Sequence, residues 1–217
     1  MFTKYGYTTI GIISILSFVL IAASFFIQNN PVKIFLIAVA VISLIFTLAF
    51  FRDPDRTAPD RDDVIVSPAD GKVLFVKEMD KDKFVGEKVN MISIFMSPLN
   101  VHVNRIPVDG IVDYLHYYEG EYIAAFEDKA SDSNERMEIG ITSKHGKILF
   151  TQVAGMVARR IVTELETGDT VKIGNRFGMI KFGSRVDVFA PLNWKPKVSK
   201  DETVTAGETI IFELDIK

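Results

Sequence analysis

Few side chains in this 217-residue sequence have the types and spacing that enzyme chemistry requires. The three histidines, His102, His116 and His145, are too scattered to form a good metal-binding set, and there is no cysteine to act as a nucleophile or thiolate ligand. The sequence also lacks a glycine-rich phosphate loop, a His-x-x-x-His pair and a Gly-x-Ser-x-Gly motif. A net charge of -3 argues against a nucleic-acid-binding protein. These absences disfavour the familiar hydrolases and metalloenzymes.

The most informative stretch is residues 178–191, in which Gly183-Ser184 lies between two alternating apolar runs. Taken alone, this dipeptide would be a bulge or bend within a strand. Its surroundings point elsewhere, because Phe182-Gly-Ser-Arg185 followed by Phe189-Ala-Pro191 resembles the self-cleavage region of phosphatidylserine decarboxylase proenzymes. In that family a Leu-Gly-Ser-Thr motif supplies the cleavage site.

Four further segments resemble motifs of the same family, in the same order along the chain. They are Phe50-Phe-Arg-Asp-Pro54, Ser67-Pro-Ala-Asp-Gly71, Ser97-Pro-Leu-Asn-Val-His-Val-Asn-Arg-Ile-Pro107 and Asn134-Glu-Arg136. The resemblance covers roughly residues 50–191, and the short chain is similar to the compact branch of the family.

The resemblance implies that Ser184 Oγ attacks the carbonyl of Gly183, which a strained turn with glycine on the acyl side would leave open. Elimination would then free Gly183 as a new C-terminus, and Ser184 would become a pyruvoyl group by way of dehydroalanine. The products would be a large subunit, residues 1–183, and a small one, residues 184–217, which remain together. The pyruvoyl ketone forms a Schiff base with phosphatidylserine and accepts electrons as carbon dioxide leaves, so neither metal nor pyridoxal phosphate is expected. The product would be phosphatidylethanolamine.

Two assisting residues come from the same resemblance. Asp70 matches an aspartate of self-cleavage and would orient or deprotonate the group that activates Ser184, although an aspartate before Gly71 also suits a turn cap. His102 matches the first histidine of the family's Tyr-His-x-x-His-x-Pro pattern and would donate a proton to the carbanion, since histidine titrates near neutrality. A packed or surface histidine is the alternative.

The sequence departs from the long-form family pattern at two positions. Arg105 stands where the second histidine, the usual base of self-cleavage, is expected, and arginine stays protonated. Either His102 covers both tasks or Asp70 acts on Ser184 more directly. Arg185 replaces the threonine of the cleavage motif, so a hydroxyl is absent from that side of the bond.

Three arginines are candidates to hold the phosphate or carboxylate of the substrate, because a guanidinium fork suits both groups. They are Arg105, Arg159 and Arg160. For each of them, a solvated surface charge is the alternative.

A separate membrane segment is expected to hold this chemistry at a lipid surface. Residues 1–51 contain Lys4 and Lys33 as their only charged residues. The apolar runs 8–27 and 34–51 are each long enough to span the hydrocarbon layer as a helix, at about 1.5 Å per residue. The link between them contains Asn29-Asn30-Pro31, which favours a helical hairpin over a signal peptide.

The flanking bases predict the orientation of this hairpin. Lys4 precedes the first run, and Arg52, Arg56 and Arg61 follow the second, whereas the link holds only Lys33. Both ends of the hairpin should therefore face the cytoplasm, which places the protein in the cell membrane with its catalytic domain inside the cell.

Residues 52–217 are expected to form that catalytic domain. Short alternating runs at 72–77, 91–96, 146–153 and 209–214 are typical of strands, and glycine, proline and aspartate separate them. The fold class is therefore mainly β, a compact barrel or sandwich of short strands similar to a barrel-sandwich hybrid.

Two other functions remain open at this stage. The same head-group chemistry would serve archaetidylserine, the corresponding archaeal lipid. A lipoyl or biotinyl carrier domain is also a small β domain, and Met179-Ile-Lys181 faintly resembles its modified lysine site. The expected partners are the phospholipid, the membrane and the two fragments of the chain itself, and a homo-oligomer is compatible with the same patterns.

Overall fold

A computed structural model describes residues 1–80, 82–121, 133–155, 161–180 and 184–215. The chain divides into two compact units, Met1–Asp55 and Arg56–Lys217. This division falls four residues after the boundary that the charge pattern predicts, and each unit is described separately below.

The first unit is a helical hairpin. A single 3-10 turn, Lys4–Gly6, leads into α1, Tyr7–Ser24, and α2 is Asn30–Phe50. Helix α2 begins four residues before the predicted run, because Asn29 Oδ1 accepts a hydrogen bond from Val32 N at 3.3 Å and Pro31 occupies the first turn. Both helices are long and apolar enough to cross a membrane by length and composition.

The hairpin turns its large apolar side chains outward. Its buried positions include Ser17 and Ser24 of α1 and Ala40 and Thr47 of α2, and Ser17 Oγ donates to Ala40 O at 3.1 Å across the helix pair. The exposed side chains include Ile15, Phe18, Phe35, Ile42 and Ile45. Small polar residues between helices and bulky apolar ones outside are typical of helices that pack in lipid.

Backbone hydrogen bonds close the open end of the hairpin. Asp53 N donates to Met1 O at 2.8 Å, and Thr3 N donates to Phe51 O at 3.0 Å. Gly6 lies against the Phe51 ring so closely that an added Cβ would come within 2.4 Å of it. The N-terminal residues therefore form a short antiparallel contact with the chain that leaves α2.

The second unit is built from β-strands, so the predicted fold class is confirmed. Its first seven strands are β1 Val64–Val66, β2 Gly71–Met79, β3 Val89–Met96, β4 Val103–Arg105, β5 Gly110–Tyr118, β6 Arg136–Ser143 and β7 Gly146–Ala154. The other seven are β8 Ile161–Thr163, β9 Thr170–Val171, β10 Arg176–Ile180, β11 Ser184–Pro191, β12 Trp194–Pro196, β13 Thr203–Val204 and β14 Ile210–Leu214. Three of the four runs predicted as strands lie in β2, β3 and β7, and the fourth, 209–214, begins one residue before β14.

In the part of the chain that the structure describes, these strands form three antiparallel sheets. The largest has eight strands in the order β13-β2-β3-β11-β7-β6-β5-β9, and the two smaller sheets are β1-β14-β12 and β4-β10-β8. Strand β11 lies in the middle of the large sheet, paired with β3 along its whole length and with β7 along most of it. The side chains between the sheets form one apolar core, to which β11 contributes Val186, Val188 and Ala190.

Candidate active site

Ser184 is the first residue of β11, and its side chain faces the core. Its Cα lies opposite Met96 of β3 on one side and Ala154 of β7 on the other. The residue is fully buried, and its Oγ donates to Met96 Sδ at 3.3 Å. Because side chains alternate along a strand, the hydroxyl shares its face with Val186 and Val188. The nucleophile expected from the sequence is therefore shielded from bulk water.

His102 lies near the start of β11 because the segment that joins β3 to β4 carries it. Met96 at the end of β3 is opposite Ser184, and Val103 at the start of β4 is opposite Met179 of β10. His102 immediately precedes β4, so the segment that contains it begins beside Ser184 and ends beside Met179.

The imidazole of His102 is fully buried and has a defined tautomer. Its Nδ1 lies 2.9 Å from Asn100 O, and a carbonyl oxygen can only accept, so Nδ1 carries the hydrogen. In the neutral ring the lone pair therefore belongs to Nε2. This is the atom with which His102 can take up and return a proton.

Backbone and side-chain hydrogen bonds bring two further motif segments to the start of β11. Pro68 O accepts from Arg105 N at 2.9 Å and from Asn104 Nδ2 at 3.3 Å, which joins segment 67–71 to segment 97–107. Asn134 Nδ2 donates to Ala154 O at 2.7 Å, and Ala154 is the cross-strand neighbour of Ser184. Three segments far apart in sequence thus meet around the start of β11.

A comparison with known protein families identifies the family to which these motif segments belong. The family model for phosphatidylserine decarboxylase matches residues 44–212. The chain belongs to the phosphatidylserine decarboxylase family.

Three relatives of this family member are each named phosphatidylserine decarboxylase proenzyme. The protein from Chlorobium limicola is 47% identical over 211 residues, covering 97% of this chain and 99% of its own. The protein from Pelodictyon phaeoclathratiforme is 46% identical, and the alignment covers 97% of this chain and 99% of its own. The protein from Chlorobium phaeovibrioides is 47% identical, and the alignment covers 99% of this chain and 97% of its own. The similarity therefore includes the helical hairpin as well as the β unit.

In this member of the decarboxylase family, both carboxylate oxygens of Asp70 bond to groups other than Ser184. Its Oδ1 accepts from Ala206 N at 2.8 Å, and its Oδ2 forms an ion pair with Arg56 at 3.0 Å. These bonds tie the turn that contains Pro68 to the turn before β14. The contacts are those of a turn-stabilising residue, and a direct action of Asp70 on Ser184 stays a prediction.

The two arginines that depart from the family pattern both contact groups other than the Ser184 hydroxyl. Arg105 is nearly buried and donates through Nη1 to Gly174 O at 2.8 Å. Arg185 lies on the opposite face of β11, where its Nε is 3.0 Å from Asp187 Oδ1. A substrate contact by Arg105 stays a prediction, and its observed bond supports the turn at Gly174.

Several sequence predictions fall outside the described residues. They concern Gly183, Arg159, Arg160 and the alternative carrier residue Lys181. Within the described ranges there is no group of three or more His, Cys, Asp or Glu residues that could hold a metal ion.

A separate cavity opens on the face of the large sheet that Ser184 does not face. Its volume is about 490 Å³, and its lining includes Asp187 and Phe189 of β11 together with Lys77, Tyr114 and Arg136. Because these two β11 residues alternate with Ser184, the cavity lies on the other side of the strand from the hydroxyl. We therefore do not assign the reaction to it.

Two polar residues near Ser184 were not singled out by the sequence analysis. Asn104 and Gln152 are both fully buried, and Gln152 Nε2 donates to Asn104 Oδ1 at 2.8 Å. A signal for Gln152 was available, because it occupies a core-facing position in the alternation Ile148, Phe150, Gln152 of β7. A polar residue in such a position needs a partner or a function.

Proposed function

We propose that this protein decarboxylates phosphatidylserine to phosphatidylethanolamine and carbon dioxide after cutting its own chain between Gly183 and Ser184. The observation that carries the proposal is the burial of Ser184 at a corner where His102 and the other motif segments converge. Membership of the decarboxylase family supports the same activity. The relatives' names favour phosphatidylserine over archaetidylserine, and the family leaves the carrier-domain alternative without support.

Self-cleavage begins when the Ser184 hydroxyl adds to the carbonyl carbon of Gly183. The C–N bond then breaks, the nitrogen takes the proton that left the hydroxyl, and an ester replaces the amide. Removal of the Ser184 α-proton expels the Gly183 carboxylate and leaves dehydroalanine. Its imine tautomer adds water and loses ammonia, which completes the pyruvoyl group without an oxidant or a metal.

Position 184 suits a pyruvoyl group on physical grounds. The pyruvoyl group is no bulkier than serine: its methyl carbon is the former Cβ of Ser184 and its ketone carbon the former Cα, while Oγ leaves with Gly183. It therefore fits the buried space that Ser184 now fills beside Met96. Once formed, the group supplies an electron-withdrawing ketone that binds the substrate amine covalently and stabilises the charge left by decarboxylation.

His102 is the proposed proton carrier for both stages. Its Nε2 lone pair suits removal of the proton from Ser184 in self-cleavage, and the protonated ring suits return of a proton to the decarboxylated carbon. Asp70 is proposed to assist by holding the turn whose Pro68 O bonds Asn104 and Arg105. Arg105, Arg159 and Arg160 stay as weaker proposals for the phosphate or carboxylate of the lipid.

The strand topology supports a stable pair of cleavage fragments. The proposed small fragment contributes β11 to the centre of the large sheet, β13 to its edge, and both β12 and β14 to a second sheet. Cutting before β11 breaks none of the ladders that hold these strands. We therefore propose that residues 1–183 and 184–217 remain associated as a heterodimer.

The helical hairpin is proposed to hold the enzyme in the cell membrane, next to its lipid substrate. Its outward apolar side chains and its length support this location. The excess of bases beyond the two ends, compared with Lys33 in the link, supports a catalytic domain on the cytoplasmic side.

The test is a decarboxylation assay on vesicles that contain phosphatidylserine, with phosphatidylethanolamine and carbon dioxide both measured. We expect activity from the parent chain and none from Ser184→Ala. Ser93→Ala is the matched control, because Ser93 is also fully buried and its hydroxyl has no hydrogen-bond partner among the described residues. An active Ser184→Ala protein would refute the proposal.

A further inference from the structure

The buried amides of Asn104 and Gln152 form a bridge between two sheets beside the reacting serine. Asn104 belongs to β4 of a three-stranded sheet, where it is opposite Gly178, and Gln152 belongs to β7 of the large sheet, where it is opposite Val186. The hydrogen bond between them, 2.8 Å long, therefore joins the sheet that contains β10 to the sheet that contains β11.

This bridge gives the Asn104 amide a single orientation. Its Oδ1 accepts from Gln152, so its Nδ2 is directed toward Pro68 O at 3.3 Å and Met96 Sδ at 3.7 Å. Since a carbonyl oxygen can only accept, the bond to Pro68 identifies this atom as the amide nitrogen. The donor is thus fixed by contacts from both sides.

The Asn104 donor is a close neighbour of the nucleophile. Ser184 Oγ and Asn104 Nδ2 both contact the same sulfur atom, Met96 Sδ. A thioether is a weak acceptor, and the bond to Pro68 O is longer than the usual N–H···O distance. The N–H groups of Asn104 are therefore held by weak partners and are available to a stronger acceptor that develops nearby.

Gln152 has an unusual feature that supports a functional role. Its Oε1 is buried and has no hydrogen-bond partner among the residues that the structure describes. Buried acceptors without partners are rare in folded proteins and call for a functional explanation. Packing alone would be served equally well by an apolar side chain at this position of β7.

We propose that Asn104 Nδ2 donates to the carbonyl oxygen of Gly183 as Ser184 Oγ adds to the carbonyl carbon, and that Gln152 is the positioning residue that aims it. In this step the Oγ–C bond forms and the carbonyl π electrons move onto oxygen, where the amide N–H stabilises the charge. The electrons return when the C–N bond breaks. The inference rests on the proposed self-cleavage and adds the group that stabilises its oxyanion.

The experiment follows cleavage of the newly synthesised full-length chain by denaturing gel, in a pulse and chase. We expect Asn104→Leu to slow cleavage about 10²- to 10³-fold, the usual effect of removing one oxyanion donor. Gln152→Leu should slow it about 10-fold, and the double variant should be no slower than Asn104→Leu, because the two residues act as a unit.

The matched control is Asn90→Leu. Asn90 is also a buried asparagine, and its Nδ2 donates to Trp194 O at 2.9 Å. It lies at the end of β3 that is far from Met96 and Ser184. We expect its cleavage to stay close to the parent rate. If cleavage is equally slow in Asn104→Leu and Asn90→Leu, the slower rate reflects impaired folding in both variants, and the proposal is overturned.

A second variant keeps the test independent of shape. Asn104→Asp is isosteric and loses the donor only while its carboxylate is ionised. Its rate relative to the parent should rise as the pH is lowered toward about 5, because the protonated acid regains a donor. A constant ratio would contradict the proposal. If the parent chain itself stays intact, the proposed self-cleavage fails, whereas parent-like rates in both Asn104 variants reject only this inference.

Discussion

At the scale of single residues, chemistry depends on which groups share the buried corner with Ser184. His102 is directed by its Nδ1 bond to Asn100 O, which leaves Nε2 as the basic atom of the neutral ring. Asp70 is instead engaged by Arg56 and Ala206 N. The arrangement favours histidine over aspartate as the group that exchanges protons with the reacting atoms.

A prediction for the mature enzyme follows from this difference. His102→Ala should lower kcat for decarboxylation by about 10²- to 10⁴-fold, the usual contribution of a general acid–base residue. His116→Ala serves as the control, because that imidazole stacks on Tyr114 and contacts the Tyr118 ring edge-on, on another part of the large sheet. Because His102 is also the proposed base of self-cleavage, the cut fraction of each preparation is read from a denaturing gel and kcat is expressed per cut chain. A His102→Ala enzyme that is fully cut and fully active would remove this residue from the mechanism.

How far the sequence predicts the site also differs from residue to residue. Ser184 and His102 could be found because they lie in motifs with a recognisable order. Asn104 also lies in one of those motifs, but its role depends on a contact with Gln152 that forms only where two sheets meet. Gln152 is 48 residues away along the chain. No local sequence pattern predicts a contact over that separation. The polar Gln152 on the core-facing side of β7 does indicate that it needs a partner or a function.

At the scale of elements, the hairpin shows what apolar composition determines and what it leaves open. The two helices follow directly from the uncharged runs. Their closure by Asp53 N and Met1 O does not, because backbone bonds at a chain terminus have no sequence signature. The close approach of Gly6 to Phe51 provides a test of that closure.

We predict that Gly6→Ala destabilises the hairpin by about 1–3 kcal/mol, because the new methyl group would overlap the Phe51 ring. Gly11→Ala is the matched control, since no atom lies within 4 Å of a Cβ added there and alanine is the better helix former. Thermal unfolding in detergent should show a lower midpoint for the first variant only. Equal midpoints would contradict the observed contact.

At the scale of the whole β unit, a network of ion pairs extends from the proposed small fragment to the rest, and the pair between Glu213 and Arg61 joins the two. Glu213 of β14 bonds Lys197 at 2.7 Å and Arg61 at 2.6 Å, and Arg61 also bonds Asp63 just before β1. The hydrogen bonds from Lys197 and then from Arg61 hold the pKa of Glu213 below its ordinary value. The hydrogen bond from Arg61 likewise lowers the pKa of Asp63.

This network predicts a pH dependence with a definite sign. Carboxylates whose pKa is lowered by folding stabilise the folded state above their ordinary pKa of about 4, and that contribution is lost as the pH falls through the folded value. The thermal midpoint should therefore decrease below about pH 4, and Glu213→Gln should show a shallower decrease. Glu202→Gln, an exposed glutamate outside the network, is the control. Parallel curves for Glu213→Gln and the parent would refute the contribution.

The central claim is that one chain becomes two between Gly183 and Ser184, and intact mass spectrometry of the purified protein tests it most directly. We predict two fragments, residues 1–183 and 184–217, with the smaller one lighter than its sequence by one ammonia and blocked to Edman sequencing. Ser184→Ala should give one uncut chain, and Ser93→Ala should give the parent pattern. A single intact chain in a preparation that decarboxylates phosphatidylserine would contradict the account.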